Sequence, residues 1–289
     1  MADIPGLRFT CHQYGEHKLQ RVGVWQFASS QQNASGQWVI YIHGGAWRDP
    51  RILLETFAPS IKHILSSKEK IPSSAVRGFI SIDYRLSPHP DFPQDPAAVP
   101  KSEIRSACHP DHVRDVLAAV RFLSEEYQLG SNYILIGHSA GATLAYQLFM
   151  GKDALAVNAP ELATPRVIIG VSGIYDLVDI DERHGGNYGG FISCAFGDDK
   201  ACWQRVSPRR FPGTFRDNFT GTHLSLLAWS PEDSLIDEPE IDGMASKLRE
   251  DGVTTLVVKD LTGEHDFVWE DGSQIARLLA LALQNLQVK

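Results

Sequence analysis

Gly137-His138-Ser139-Ala140-Gly141 sets a serine between two glycines, and what flanks it decides the fold. Ahead of it, Asn132-Tyr133-Ile134-Leu135-Ile136 is a short apolar run of the kind that forms a buried strand. Behind it, Ala142-Thr143-Leu144-Ala145-Tyr146-Gln147-Leu148-Phe149-Met150 is apolar with helical character. Alone, G-x-S-x-G fits any glycine-rich turn. Between a buried strand and an apolar helix it reads as a nucleophile elbow. A serine lifted out of a sheet on a tight, strained turn needs neighbours without side chains, so that strand and helix can approach closely. The helix N-terminus beneath it also favours a developing negative charge.

Working back from the elbow, Trp38-Val39-Ile40-Tyr41-Ile42 is a continuous apolar strand, as expected in a sheet covered on both faces. It runs into His43-Gly44-Gly45-Ala46-Trp47. Two glycines after a buried strand let backbone N–H groups face a cavity, which is what an oxyanion hole requires. Further toward the N-terminus, Arg8 to Tyr14 and Arg21 to Phe27 alternate like paired strands around Gly15-Glu16-His17. Between the oxyanion loop and the elbow, helical spacing covers Leu53 to Leu65, a strand covers Gly78 to Asp83, and a helix opens at Pro110 and Asp111 and closes at Gly130. The segment from Ser87 to Pro100 holds five prolines and reads as a loop forming a wall of the site. Alternation of strand and helix implies parallel strands with right-handed crossovers.

Forward of the elbow, Arg166 to Ser172 is another buried strand. Residues 175–220 show no sheet pattern and read as a cap-like insertion over the site. Within it, His184-Gly185-Gly186-Asn187-Tyr188-Gly189-Gly190 is no phosphate loop, because no strand leads into it and the glycine spacing fails. Strands then return at Thr222 to Trp229 and at Val253 to Lys259, with helices around Ile241 to Leu248 and Ile275 to Ala282. Ser139, Asp233 and His265 thus follow one another, each just past the C-terminal end of an expected strand. Catalytic groups of open α/β sheets gather at that edge, and Ser-Asp-His is the chain order of α/β hydrolases. A serine hydroxyl is a poor nucleophile until a histidine takes its proton, and that histidine needs a carboxylate to fix its tautomer. His265 stands out from the other ten histidines because it alone lies between the last strand and the last helix. Asp233 is preferred to Asp237 as the acid because it is nearer the strand end, and Asp266 adjoins the histidine and should point elsewhere.

The 289 residues are 43% hydrophobic and 21% charged, with no linker-like tract, so residues 1–289 read as one domain. A net charge of −8 argues against a nucleic-acid surface. No apolar run is long enough to span a bilayer, so no membrane partner is expected. Four scattered cysteines and the lack of a basic-apolar leader at Met1-Ala2-Asp3-Ile4-Pro5-Gly6 point to the cytoplasm. There is no H-E-x-x-H and no cluster at ligand spacing, so neither a metal nor a cofactor is expected. The oligomeric state stays open, a homodimer included.

H-G-G-A-W (43–47), D-Y-R-L-S-P (83–88), G-H-S-A-G (137–141), D-S-L-I-D (233–237) and G-E-H-D (263–266) together resemble the hormone-sensitive-lipase-like branch of the α/β hydrolases, over almost the whole chain. Esterases of that branch usually carry a third glycine after H-G-G. Ala46 and Trp47 stand here instead, and H-G-G-x-W is similar to the signature of kynurenine formamidases (arylformamidases). Ala195-Phe196-Gly197-Asp198 with Ser207-Pro208 also resembles that family's cap region. The resemblance implies an α/β-hydrolase fold and hydrolysis of an aryl formamide, N-formyl-L-kynurenine, to L-kynurenine and formate. It makes Ser139, Asp233 and His265 the triad, and Gly44, Gly45 and Ala140 the backbone oxyanion donors. A formyl group needs only a tight pocket, whereas the leaving aryl amine is flat. Trp47, Phe191, Phe267 and Trp269 are therefore the expected stacking residues, Trp47 foremost. Two other functions stay open: a short-chain carboxylesterase using the same triad, and a non-catalytic binding module on the same scaffold.

Overall fold

A computed structural model describes residues 4–28, 35–67, 71–156 and 162–287. Eight strands form one sheet in the order β1-β2-β4-β3-β5-β6-β7-β8. They are β1 Leu7–Gln13, β2 Arg21–Phe27, β3 Gln37–Ile42, β4 Val76–Ile82, β5 Tyr133–His138, β6 Val167–Val171, β7 Leu224–Ala228 and β8 Thr255–Val258. β1 and β2 pair as an antiparallel hairpin and β2 lies antiparallel to β4, while every pairing from β4 through β3 to β8 is parallel. The expected parallel strands thus form the body of the sheet, and the N-terminal hairpin lies at one of its edges.

The helices are α1 Ala58–Ser66, α2 Asp111–Tyr127, α3 Ala140–Gln147, α4 Lys152–Leu155, α5 Leu177–Arg183, α6 Gly189–Phe196, α7 Lys200–Val206, α8 Phe215–Asn218, α9 Glu238–Glu250, α10 Phe267–Asp271 and α11 Ser273–Gln287. Side chains alternate across each strand, so a continuously apolar strand feeds two cores. Val39, Tyr41, Ile134 and Ile136 join Ile61 and Ile64 of α1 and Ile275, Leu278 and Leu279 of α11. Trp38, Ile40, Ile42 and Leu135 join Val113, Val116 and Val120 of α2 and Ile241, Met244 and Leu248 of α9. Each such side chain fully removed from water contributes about 1.5–3 kcal/mol, so neither face of the sheet is dispensable.

The 175–220 segment holds helices, turns and irregular stretches but no strand, as its lack of strand pattern implied. Ile180, Ile192, Trp203 and Phe215 from α5 to α8 are buried in the same core as α2 and α9. A buried carboxylate ties the segment down. Glu240 accepts the N–H of Asp176 at 2.8 Å and an Arg183 hydrogen bond at 2.5 Å. Burial pushes the Glu240 carboxyl up to about 7, against the pull of Arg183 and the N–H groups of Asp176 and Tyr175. Among the described residues no helix is long and apolar enough to cross a membrane.

Candidate active site

β5 ends at His138 and α3 begins at Ala140, which leaves Ser139 alone on the turn with φ 54° and ψ −124°. A positive φ is uncommon outside glycine and marks stored strain. What holds it is the packing around Gly141, where a Cβ would collide with the backbone carbonyls of Ile42 and His43. The N–H of Ser139 is anchored to the carbonyl of Val171 on the neighbouring strand, 2.9 Å away. Glycine at 141 lets α3 sit directly against the end of β3, and that brings the serine beside the 43–47 loop.

The carboxylate and the imidazole meet as their chain order implied. His265 Nδ1 lies 2.9 Å from Asp233 Oδ2, and both residues are buried. The other carboxylate oxygen, Oδ1, accepts the N–H groups of Leu235 and Ile236, each at 2.9 Å. Burial pushes the Asp233 carboxyl up, but the hydrogen bond and charge of His265 and the N–H of Ile236 outweigh it and hold the group below its usual value. Ionised Asp233 therefore accepts a hydrogen bond from Nδ1–H, which leaves Nε2 of His265 as the free base. Asp237 is occupied elsewhere: its oxygens receive Arg183 at 2.6 and 2.9 Å.

His138 adds a contact that its place between two glycines did not reveal. Its Nε2 donates to the backbone carbonyl of His265 at 3.0 Å, and the two rings lie 4.6 Å apart. Burial, then the neighbouring His265, lowers its pKa to about 3, so it is neutral and holds the loop that carries His265. His138, His265 and Asp266 bring potential ligand atoms within 4.8 Å of one another. The bonds they already make, to the His265 carbonyl, to Asp233 and from Trp269, account for that grouping.

The 43–47 loop turns through three residues with positive φ, Gly45 at 83°, Ala46 at 49° and Trp47 at 60°. Its carbonyls point away from the serine: Gly44 O accepts the Tyr84 hydroxyl at 3.1 Å, and Gly45 O accepts the N–H groups of Arg48 and Asp49, both at 2.9 Å. The N–H groups of Gly44 and Gly45 find no acceptor among the described residues. The first N–H groups of a helix have no intrahelical acceptor, which leaves that of Ala140 free as well. Gly44 abuts the serine, since a Cβ there would lie 2.9 Å from Ser139 Cβ. The arrangement can stabilise an anionic oxygen next to a serine hydroxyl.

These elements open onto one cavity of about 310 Å³, lined among others by Gly45, Arg48, Ser139, Tyr188, Phe191 and His265. Of the four aromatic residues expected to stack on a substrate, Phe191 is on this wall. Trp47 is behind it, fully buried, with its ring 4.9 Å from Phe196 and 6.2 Å from Phe191. The left-handed backbone at Trp47 turns the indole against α6, where its large apolar surface is removed from water. Phe267 is 41% exposed and covers Gly263, and Trp269 donates to Asp266 at 2.9 Å; neither lines the cavity. Asp266 does line it, contrary to the expectation that it points away. Tyr188 and Arg48 were not singled out from sequence. For Arg48 the available signal is its place directly after H-G-G-A-W. The proline-rich 87–100 segment contributes its expected wall through His89.

No protein-family model matches the chain. It is 34% identical over 279 residues to the kynurenine formamidase-like hydrolase fscH of Fusarium equiseti, a match spanning 93% of this chain and 91% of that protein. It is likewise 34% identical over 253 residues to kynurenine formamidase avaC of Aspergillus versicolor, spanning 80% and 83%. The kynurenine formamidase of Saccharomyces cerevisiae is 24% identical over 243 residues, spanning 81% and 84%. Among solved structures, an esterase/lipase from an uncultured bacterium superposes with a TM-score of 0.68 at 16% identity, over 99% of this chain and 87% of that one. Esterase B from Lactobacillus rhamnosis does so with a TM-score of 0.68 at 17% identity, over 98% and 88%. At such identities these two show the α/β-hydrolase fold and nothing finer.

Proposed function

The chain belongs to the kynurenine formamidase family of α/β-hydrolase-fold enzymes, and on that premise we propose that it hydrolyses N-formyl-L-kynurenine to L-kynurenine and formate through Ser139, His265 and Asp233. Ser139 Oγ attacks the formyl carbon while Nε2 of His265 takes its proton. The carbonyl oxygen becomes anionic and is received by the N–H groups of Gly44, Gly45 and Ala140. Collapse breaks the C–N bond, and His265 delivers its proton to the departing aryl amine. A formyl ester on Ser139 remains. Water, deprotonated by His265, attacks that ester; the second tetrahedral intermediate expels Ser139 Oγ, which regains the proton, and formate leaves. Asp233 stays ionised and stabilises the imidazolium throughout.

The observation that carries this reading is the meeting of Ser139 and His265 on one small cavity, with Asp233 bonded to the far nitrogen of the imidazole at 2.9 Å. A cavity of about 310 Å³ is near the lower end for small-molecule sites. It suits a formyl group joined to a single flat ring lying against Tyr188 and Phe191. The second reading, a carboxylesterase for short acyl esters, has its own support in a neighbouring cavity of about 570 Å³ lined by Phe92 and several prolines, which has room for an acyl chain. The two are separated by kcat/KM for N-formylkynurenine beside p-nitrophenyl acetate and butyrate. A large preference for the formamide supports the first, and a preference for the butyrate ester supports the second. Ser139→Ala should lower turnover of whichever substrate wins by about 10⁶-fold while leaving the fold intact; an active Ser139→Ala protein would refute serine catalysis outright.

A further inference from the structure

We propose that Arg48 reads a carboxylate on the leaving aryl amine, and so makes the enzyme selective for aryl formamides that carry an amino-acid side chain. This rests on the aryl-formamide reading above. Arg48 is on the wall of the cavity that holds Ser139 and His265. Its guanidinium is 5.7 Å from the centroid of the Phe191 ring, so it stands over the aromatic surface available to a substrate ring. Cation–π contact of this kind fixes the head group without neutralising it. Nearby arginines are neutralised: Arg51 by Asp49 at 2.7 Å, and Arg183 by Asp237 at 2.6 Å and Glu240 at 2.5 Å. Arg48 has no carboxylate within ion-pair distance among the described residues, in a chain whose acidic residues outnumber its basic ones by 35 to 27.

The two acidic side chains on the same wall do not serve as its partner. Asp49 is engaged by Arg51 through both oxygens, and Asp266 receives Trp269 at 2.9 Å. A half-buried guanidinium with a free fork is suited to a planar carboxylate, which it can receive through two parallel hydrogen bonds. A ring resting on Phe191 would put an ortho side chain within reach of that fork, whereas the formyl group points to Ser139. Asp266, which receives only the neutral Trp269 indole, leaves negative potential on the same wall for the ammonium of an α-amino acid. Arg48 also borders the second, proline-lined cavity, so a substrate anchored on it need not enter that space.

The test compares N-formyl-L-kynurenine with N-formylkynuramine, which keeps the ring, the ketone and the amine but lacks the carboxylate. Wild-type enzyme should prefer the first. In Arg48→Gln the ratio of the two kcat/KM values should fall by about 10- to 100-fold, the scale of a lost charge-assisted hydrogen bond, with most of the change in KM. Arg48→Lys, which keeps the charge but not the fork, should lie between. Circular dichroism and a thermal melt of each variant report that the fold is intact. An unchanged substrate ratio in Arg48→Gln overturns the assignment while the aryl-formamide reading stands. Wild-type enzyme that cleaves neither formamide overturns both.

Discussion

Replacing Asp233 by asparagine is the sharpest test of how this site works, because the geometry dictates which way the new amide must turn. One oxygen of Asp233 receives two backbone N–H groups, from Leu235 and Ile236, at 2.9 Å. An amide NH₂ cannot replace that oxygen without facing two donors, so the asparagine carbonyl takes this place. Its NH₂ then faces Nδ1 of His265, 2.9 Å away in the native protein. Nδ1 must become an acceptor, and the ring proton moves to Nε2. The nitrogen that should accept the serine proton is then itself a donor. The same tautomer error in a serine triad costs about 10⁴ in kcat, or about 5.4 kcal/mol of barrier. The volume is unchanged, so the fold should survive. Asp237→Asn is the matched control. Asp237 serves Arg183, which Glu240 also holds, and a partly exposed ion pair is worth about 0–1 kcal/mol, so activity should change by less than about fivefold. Steady-state release of the free aryl amine by the three proteins gives the answer. If Asp233→Asn kept kcat within tenfold of wild type, or if Asp237→Asn proved the more damaging, the triad drawn here would be wrong.

Gly141→Ala should damage fold and activity together, because the added methyl meets the backbone of Ile42 and His43, which cannot swing aside as a side chain can. Overpacking of this kind costs about 3 kcal/mol or more, a fall in Tm of about 5 °C or more for a chain of this length in a thermal melt. Unchanged stability would mean that the elbow is looser than its geometry indicates. A second expectation concerns acid. Burial, with neighbouring charges adding to it, lowers the pKa of both His112 and His138 to about 3, against about 6.5 in an unfolded chain. Because the folded values lie below the unfolded ones, these two histidines contribute stability that is full above about pH 6.5 and is lost as pH falls toward 3. Within that window the unfolded chain binds one more proton than the folded chain at each of these two rings, so their contribution to stability rises with pH. Urea unfolding at pH 7, 6 and 5 should follow it, and His112→Asn should remove about half. A flat profile would show that one or both rings are already charged in the folded protein.

The elements that were legible in the sequence are those whose signal is local. Buried strands announced themselves as unbroken apolar runs at Trp38 to Ile42 and Asn132 to Ile136. Glycines marked the two places where backbone must approach backbone, and the chain order of Ser139, Asp233 and His265 placed them at one edge of a parallel sheet. The family pattern in H-G-G-A-W is likewise local. Nearness to the end of β7 favoured Asp233 over Asp237, but the firmer ground for that choice is tertiary. It turns on which carboxylate Arg183, more than fifty residues upstream, already occupies. Trp47 shows the limit from the other side: its identity marked the loop, but its direction depends on a left-handed backbone and on the α6 side chains packed against it. For Arg48 the local signal is only its place directly after H-G-G-A-W; that it has no acidic partner among the described residues emerges only when the chain is folded. Sequence by itself determined the scaffold and the order of the candidate catalytic groups, through periodicity and steric necessity along the chain. Tertiary structure alone decided which groups are neutralised, which aromatic face is left open and where an unpaired charge stands, because those depend on distances between segments that the chain brings together only on folding.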